Sequence, residues 1–292
     1  MKVARVLVTG ANGFIGKHLF KRLTENRVNS ADGTSRSNQR PFDVTDLGQL
    51  ASACRNVDTV VHLAGKTSIK NSLREPYKTY YINYMGALNL LEASRLMDVK
   101  RLINVSTFVY GQPQDITINE KHPINPHSPY TKSKLLAEMI CQYYSSDFDI
   151  DVVTLRPFQI YGPGARSDSF VPSVIQQIAR KGEVLLNGKN VRRDFLFVDD
   201  FVDLIVAILN NFPKGYNVYN VGFGKSHVLE KIAKILANLM NKRLKINYEG
   251  AYPSPSGTNI QADITKVSEA FLWKPRVTLE EGLKYTMESN SL

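Results

Sequence analysis

Thr9-Gly10-Ala11-Asn12-Gly13-Phe14-Ile15-Gly16 follows the β-branched run Val3 to Val8 and opens an apolar stripe at Ile15, Leu19 and Leu23. A short apolar run closed by glycine reads as a buried strand, and the stripe after it as a helix. The three glycines, Gly10, Gly13 and Gly16, form G-x-x-G-x-x-G. At such a junction one glycine permits the tight turn, a second lets backbone approach a pyrophosphate, and a third lets helix and strand pack closely. The helix N-terminus adds unpaired N–H groups and the positive end of its dipole. The turn, with Asn12, Phe14 and Ile15 beside its glycines, is therefore a candidate dinucleotide site. Its spacing departs from G-x-G-x-x-G, and an ordinary glycine-rich strand–helix turn is the alternative reading.

Outward from this turn, strand and helix patterns alternate. Asp58 to Leu63, Arg101 to Ser106 and Asp151 to Leu155 read as strands; Tyr81 to Leu96 and Pro129 to Tyr144 read as helices. Such alternation predicts an α/β fold, a Rossmann-type doubly wound parallel sheet with helices on both faces. After Arg156 the texture changes, with Pro157, Gly162, Pro163 and Gly164 marking irregular chain. We expect residues 1–156 to form the dinucleotide domain, with later segments able to rejoin its sheet. Residues 157–292 are expected to form mainly a smaller α+β lobe. Within that lobe Leu229 to Met240 and Leu279 to Met287 read as helices, and Tyr252 to Gly257 as a loop.

The 292 residues carry 37 Lys and Arg against 27 Asp and Glu, a formal net charge of +10. The basic residues are scattered, and the closest clusters, Lys242-Arg243 and Arg192-Arg193, are short. No basic tail and no aromatic-rich RNA-binding pattern accompanies them, so nucleic acid is not expected as a partner. A polyphosphate ligand would use such charge. Cys54 and Cys141 have no metal-type spacing and read as reduced thiols; no metal is expected. The segment MKVARVLVTG is too short and interrupted to read as a signal peptide. No apolar run approaches the ~18 residues of a membrane helix. A cytoplasmic location is the resulting expectation.

A dinucleotide site often has a ribose reader ~20 residues beyond the turn. The segment Val28 to Arg36 offers two choices. If its strand ends at Asp32, an acid at the tip favours NAD. If it ends near Thr34, Arg36 lies just beyond and favours NADP, which is the preferred reading. Asp43, followed by Val44 in FDVTD, is a candidate partner for the adenine amino group, with a helix N-cap as its alternative role.

Tyr130 and Lys134 stand four apart at a helix start, on one face. A phenol with a pKa of ~10 is a poor acid–base group at neutral pH, and a nearby ammonium lowers that value. Tyr130 can then exchange a proton with a hydroxyl or carbonyl oxygen while hydride moves at carbon. Ser106, at the end of RLINVS, can hold the same oxygen. In isolation, a Tyr–Lys pair at this spacing reads as a surface pair.

The chain resembles the extended short-chain dehydrogenase/reductase family, in its nucleotide-sugar epimerase, dehydratase and 4-keto-reductase branch. The resemblance runs nearly end to end. It rests on TGANGFIG, DTVVHLAG, VSTFVYG, SPYTKSK, LRPFQIYGPG, RRDFLFVDD and YNVGFG in this order. It implies that Ser106, Tyr130 and Lys134 are catalytic and that Leu63, Ala64 and Gly65 pass beneath the cofactor. It also implies that Thr107 faces the sugar and that Arg193 reaches the nucleotide's phosphates. Gln159 and Phe170 join Arg193 in a substrate lobe. A homodimer through the helices after Tyr81 and Pro129 is the family's expected assembly.

Departures narrow the reading. Family 4,6-dehydratases carry an Asp-Glu pair where Thr107-Phe108 follow Ser106 here. Gln159 stands where the family often has Asn, and Ser254 to Gly257 lack the arginine that UDP-sugar epimerases often carry. With Arg36 and the short chain, these features favour an NADPH-dependent 4-keto reductase. An NAD-dependent C4 epimerase, of UDP-glucose or UDP-N-acetylglucosamine type, is the alternative. A non-catalytic dinucleotide sensor on the same fold is the third reading, opposed by the retention of Tyr130 and Lys134.

Overall fold

The computed structural model describes residues 5–25, 30–31, 42–249 and 259–289. In chain order the elements begin with β1 (Val6–Thr9), α1 (Phe14–Glu25), β2 (Ser30–Ala31), α2 (Leu47–Ala53) and β3 (Thr59–His62). Next come α3 (Ile69–Arg74), α4 (Pro76–Tyr80), a π-helical turn (Tyr81–Met85), α5 (Gly86–Leu96), β4 (Arg101–Val105) and β5 (Thr117–Ile118). They continue with α6 (Pro129–Phe148), β6 (Asp151–Pro157), β7 (Gln159–Tyr161), α7 (Phe170–Lys181), β8 (Glu183–Asn187) and β9 (Arg192–Phe197). The last are α8 (Val198–Asn210), β10 (Tyr216–Val221), β11 (Ser226–Val228), α9 (Leu229–Leu239), β12 (Lys245–Glu249), β13 (Gln261–Ala262), α10 (Thr265–Phe271) and α11 (Leu279–Ser289).

The chain divides into two compact units. The first comprises Met1–Val109, Ile124–Pro157 and Val202–Tyr219; the second comprises Tyr110–Pro123, Phe158–Phe201 and Asn220–Leu292. The first unit holds a six-stranded sheet in the order β10-β6-β4-β3-β1-β2. β1 pairs in parallel with β2 and β3, β3 with β4, and β4 with β6. The chain leaves β1 toward one edge and returns to β3 on its other side. The carboxyl end of β1 is thus a topological switch point, where open α/β sheets receive ligands.

Val6, Leu7, Val8 and Thr9 are all buried, as are Thr59 to His62. Strands covered on both faces need continuous apolar runs instead of alternation, and this explains their composition. Leu7, Val60, Leu102 and Val152 from successive strands join Leu50, Leu90 and Leu91 in one core.

The helices differ from their sequence patterns chiefly at their ends. The pattern from Tyr81 to Leu96 predicts one uniform helix, whereas its first turn, Tyr81–Met85, is π-helical. The extra residue of a π turn is a local rearrangement often found near functional sites. Immediately after it, Gly86 lies against Val44, where an added Cβ would come within 2.9 Å of Val44 Cγ2. The helix starting at Pro129 reaches Phe148, beyond the expected Tyr144, and ends on Asp149 in the left-handed conformation at φ 52°.

In the second unit, β9 pairs in parallel with β7 and antiparallel with β11. Two short parallel pairs, β12 with β8 and β13 with β5, complete its strands. Asp194 on β9 accepts from the backbone N–H groups of Phe223 (2.6 Å), Gly224 (2.9 Å) and Ala262 (3.0 Å), tying three segments together. Its burial raises its pKa to about 6 against the lowering effect of those donors. Among the described residues no helix is long and apolar enough to cross a membrane.

Candidate active site

The glycine turn owes its shape to contacts a side chain would destroy. Gly10 has φ 73°, and a Cβ there would stand 2.7 Å from the Ala64 nitrogen and 3.0 Å from the Leu63 carbonyl carbon. Leu63 and Ala64 therefore run directly against the turn, held by Leu63 N–H to the Thr9 carbonyl (3.2 Å) and Ala64 N–H to Thr9 Oγ1 (3.2 Å), while Gly65 lies against Asn83. A Cβ on Gly16 would overlap the Gly10 carbonyl and the Ala11 backbone, so this glycine sets how closely α1 approaches β1. Gly13 differs: it is exposed, and its Cβ would meet only the Gly10 carbonyl oxygen, at 3.1 Å. Asn12 is exposed, while Phe14 and Ile15 are half-buried.

The first turn of α1 contains no acidic side chain to repel an anion. Its leading N–H groups have no earlier helical carbonyl to pair with. An exposed glycine before a helix N-terminus at the switch point fits a dinucleotide's pyrophosphate.

β2 pairs Ser30 with Val6 and Ala31 with Leu7. Arg36 and Asp32 lie outside the described residues, as does the loop Ser254 to Gly257. Asp43 is described: its Oδ1 accepts from the Thr45 N–H (2.9 Å) and Thr45 Oγ1 (2.8 Å). Asp46, not Asp43, caps α2, accepting from the Gln49 N–H. The alternative N-cap role for Asp43 thus belongs to its neighbour. Val44 is buried, and Asn89 on α5 donates to the Thr45 carbonyl (2.9 Å), holding this segment against the helix.

Tyr130 and Lys134 enter on α6. Ser128 caps this helix, Thr131 completes a reciprocal capping box, and Pro129 takes the first helical position. Each device favours a start at this point, which places Tyr130 in the first turn and Lys134 one turn later. Tyr130 is half-buried, whereas Lys134 is only 5% exposed. Burial lowers the Lys134 pKa to about 8, although Cys141 and Glu138 act in the opposite direction.

Ser106 continues β4, its N–H donating to the Leu155 carbonyl at 2.8 Å. Its hydroxyl donates to Glu138 Oε1 on α6. Arg156, at the adjoining position of β6, donates from Nη2 to Glu138 Oε2 at 2.6 Å and from Nε to the same oxygen at 3.0 Å. The structure thus joins Ser106 to the helix of Tyr130 and Lys134 through a carboxylate that sequence reading did not select. Tyr130, Lys134 and Glu138 recur every four residues along one helix face, which was the available local signal. The Arg156 partnership spans two elements and has no local signature.

Asn83, on the π turn, is a second such residue. Its Oδ1 accepts from the Lys66 N–H (2.7 Å), and its Nδ2 donates to the Lys66 carbonyl (3.0 Å) and Ser133 Oγ (2.9 Å). The strand end beside the glycine turn is thereby tied to α6 between Tyr130 and Lys134. His62, at the end of β3, is buried and shares a 2.8 Å hydrogen bond with Thr9 Oγ1. Burial first, and then the Lys134 charge, depress its pKa to about 3, so it is neutral at physiological pH.

Thr107 follows Ser106 and is half-buried in the first unit. The other three candidate substrate residues gather around Phe195 in the second unit. Gln159 is registered opposite Phe195 across the β7–β9 pair. The Phe170 ring packs at 5.7 Å from that of Phe195. Arg193 lies two residues before Phe195, on the same face of β9. Its Nη1 donates to the Arg192 carbonyl (2.7 Å), and burial lowers its pKa to about 10. Among the described residues no group of three or more His, Cys, Asp or Glu could hold a metal ion.

A candidate nucleotide turn at the switch point, with Ser106 joined through Glu138 to the helix of Tyr130 and Lys134, fits an NAD(P)-dependent enzyme of the short-chain dehydrogenase/reductase type. The sequence model of the NAD dependent epimerase/dehydratase family matches residues 6–222, and the chain belongs to that family. A GDP-6-deoxy-D-mannose reductase from Pseudomonas aeruginosa is 30% identical over 291 residues, covering 96% of this chain and 95% of its own. The solved structure of RMD from Pseudomonas aeruginosa, complexed with NADPH, superposes with a TM-score of 0.89 at 28% identity, covering 99% of this chain and 100% of its own. UDP-glucuronic acid 4-epimerase from Bacillus cereus, in complex with UDP-glucuronic acid and NAD, gives a TM-score of 0.90 at 27% identity, covering 98% and 99%.

Proposed function

We propose that this enzyme reduces C4 of a nucleotide-linked 4-keto-6-deoxyhexose with hydride from NADPH. The observation that carries the oxidoreductase chemistry is the buried ammonium of Lys134 one helical turn beyond Tyr130. That charge favours the phenolate and so brings the phenol within range of proton transfer at neutral pH. The dinucleotide, when bound, supplies the hydride. Tyr130 gives its proton to the sugar's O4 as the ketone becomes a secondary alcohol, and recovers a proton from solvent. Ser106 positions that oxygen, and Lys134 also holds the nicotinamide ribose hydroxyls. Arg193, with Gln159 and Phe170, binds the nucleotide sugar on the second unit. Gly10, Gly13 and Gly16 receive the pyrophosphate, and Asp43 the adenine amino group.

Thr107-Phe108 after Ser106 supports reduction over dehydration, since neither side chain is an acid able to assist loss of the 6-hydroxyl. Arg36 supports NADPH over NADH, and the 30% identity with a GDP-6-deoxy-D-mannose reductase supports a keto sugar. The second reading, an NAD-dependent C4 epimerase, is favoured by the likeness to the Bacillus cereus enzyme. The deciding experiment offers the purified enzyme a GDP-linked 4-keto-6-deoxymannose with NADPH, and separately UDP-glucose with NAD. Stoichiometric NADPH oxidation supports the reductase. Conversion of UDP-glucose to its C4 epimer without net cofactor consumption supports the epimerase. Tyr130→Phe is expected to lower kcat by roughly 10²- to 10⁴-fold with cofactor affinity nearly unchanged. Retained turnover would reject the proton role. Arg36→Ala is expected to weaken NADPH far more than NADH.

A homodimer is the proposed assembly. Ile69, Leu73, Tyr77 and Tyr81 are exposed apolar side chains spaced four apart, and α6 exposes Leu136, Met139 and Tyr143. Contiguous exposed apolar surface of this kind marks association sites. Sedimentation at micromolar concentration would check it, with a monomer rejecting the assembly.

A further inference from the structure

We propose that His227 is a second ligand for the diphosphate of the nucleotide sugar, standing beside Arg193 and taking up a proton as that group binds. This deepens the function proposed above and rests on its placement of the nucleotide on the second unit.

Register brings the two side chains together. β11 runs antiparallel to β9, and His227 is paired directly with Arg193. Directly opposed residues of an antiparallel pair share one face, with their Cβ atoms ~5 Å apart. Asp194 and Ser226, the next pair along, project to the other face, where the Asp194 carboxylate accepts from the backbone of Phe223, Gly224 and Ala262. On the Arg193 face β9 continues to Phe195, which packs against Phe170 and is registered with Gln159. The imidazole therefore shares a surface with the three side chains proposed to bind the nucleotide sugar. Arg193, Gln159, Phe170 and His227 are each half-buried, neither sealed in a core nor standing free in solvent.

The surroundings of the ring are mainly positive. Lys225 precedes its strand, Lys231 follows on α9 and Arg192 lies on β9, while Glu280 on α11 acts in the opposite sense. That carboxylate is already paired with Lys231 at 3.3 Å. Burial first, and then the neighbouring cations, hold the His227 pKa below 6.5. The ring is accordingly neutral at physiological pH in the free enzyme. A diphosphate bound at Arg193 brings negative charge beside the ring, reverses the local field and favours the imidazolium. The proton comes from solvent and stays on a ring nitrogen, whose N–H donates to a phosphate oxygen as a charge-assisted hydrogen bond. Arg193 then supplies affinity that is independent of pH near neutrality. His227 supplies affinity that fades as pH rises. Two carboxylates stand nearby. Glu280 is held below its ordinary range, and Asp194, on the far face of β9, is raised to about 6. Both are common to wild type and every His227 variant, so comparisons between those proteins remove them.

Isothermal titration calorimetry of the NADPH-saturated enzyme with GDP-mannose, and separately with UDP-glucose, tests the assignment. The diphosphate of a nucleotide sugar is a diester that does not titrate near neutrality, so a proton taken up on binding enters the protein. Runs at about pH 7 in buffers of unlike ionisation enthalpy count those protons. Wild type is expected to take up about half a proton per ligand, and His227→Asn close to none. Wild-type Kd should rise between about pH 6 and about pH 8.5. In His227→Asn the rise should flatten, with affinity lower by roughly tenfold at the acid end, as for loss of a hydrogen bond to a charged group. His227→Lys, a fixed cation, should restore affinity without proton uptake, which a merely structural role would not produce. Equal proton uptake by wild type and His227→Asn, or wild-type binding with no uptake, would overturn the inference. Arg193→Ala tests the underlying placement separately. If that variant binds as tightly as wild type, or if wild type binds neither ligand, the nucleotide does not lie on β9 and the proposed substrate site falls with it. If His227→Asn does not fold, His227→Gln replaces it with the same expectations.

Discussion

Replacing Lys134 with methionine should stabilise the protein while abolishing its chemistry. The two side chains have similar length and volume, so the change removes a buried charge without opening a large cavity. Burial lowers the Lys134 pKa from 10.5 to about 8. At about 1.4 kcal/mol per pKa unit, keeping the group charged in the folded protein costs about 3 kcal/mol. The sign follows from proton uptake. Between about pH 8 and 10.5 the unfolded chain binds the proton and the folded one does not, so this group makes stability rise with pH across that window. Below about pH 8 the whole cost is present; above about 10.5 it is gone. Urea unfolding of dinucleotide-free wild type and Lys134→Met at pH values from 7 to 10.5 measures it. The variant should be more stable by about 3 kcal/mol at neutral pH, and the difference should shrink as pH rises. Hydride transfer should be lost throughout. A variant less stable than wild type at pH 7, or a difference independent of pH, would refute the claim that an incompletely compensated buried ammonium sits one helical turn beyond Tyr130.

The glycines of the turn should separate by role. Gly16→Ala forces a methyl group into the Gly10 carbonyl and should prevent stable folding, as read by circular dichroism. Gly13→Ala should fold but weaken NADPH by about tenfold or more, equivalent to ~1.4 kcal/mol, as read by fluorescence titration. A Gly13→Ala protein with unchanged affinity would remove the pyrophosphate from this turn. His62 should make the fold acid-labile. Its pKa falls from 6.5 to about 3 on folding, so its contribution is complete above about pH 6.5 and is lost as pH drops toward 3. The span corresponds to roughly 4 to 5 kcal/mol. His62→Gln should flatten the acid limb of the stability profile relative to wild type. Asp194, whose raised pKa of about 6 acts with the opposite sign, is common to both proteins and leaves that comparison intact.

What was legible in the sequence follows from range. The buried strands announced themselves because Val6 to Val8 and Thr59 to His62 are covered on both faces, and such runs are local. The start of α6 was equally plain, since Ser128, Pro129 and Thr131 act within one turn. The π turn was not, because the helical pattern through Tyr81 and Leu96 is nearly unchanged by one extra residue. Asn83 within it reaches Lys66 and Ser133, on segments distant in sequence that a local pattern does not report. Glu138 sat visibly on the face of Tyr130 and Lys134, but its meaning depended on Ser106 and Arg156 arriving from two strands. Local pattern reaches one helical turn or one strand pair, and the network around Ser106 lies beyond that.

The interleaving of the two units has a consequence for how the molecule is made. The chain leaves the first unit after Val109, returns at Ile124, leaves again after Pro157 and returns once more at Val202 before ending in the second. The outer strand β10 therefore emerges from the ribosome only after two of the second unit's three segments. Until then the nascent sheet has one unfinished edge, and an open edge invites wrong pairing. Neither unit exists as a contiguous stretch of gene. A truncation after Pro157 would strip the sheet of its last strand, and a graft of the second unit would require three separate insertions.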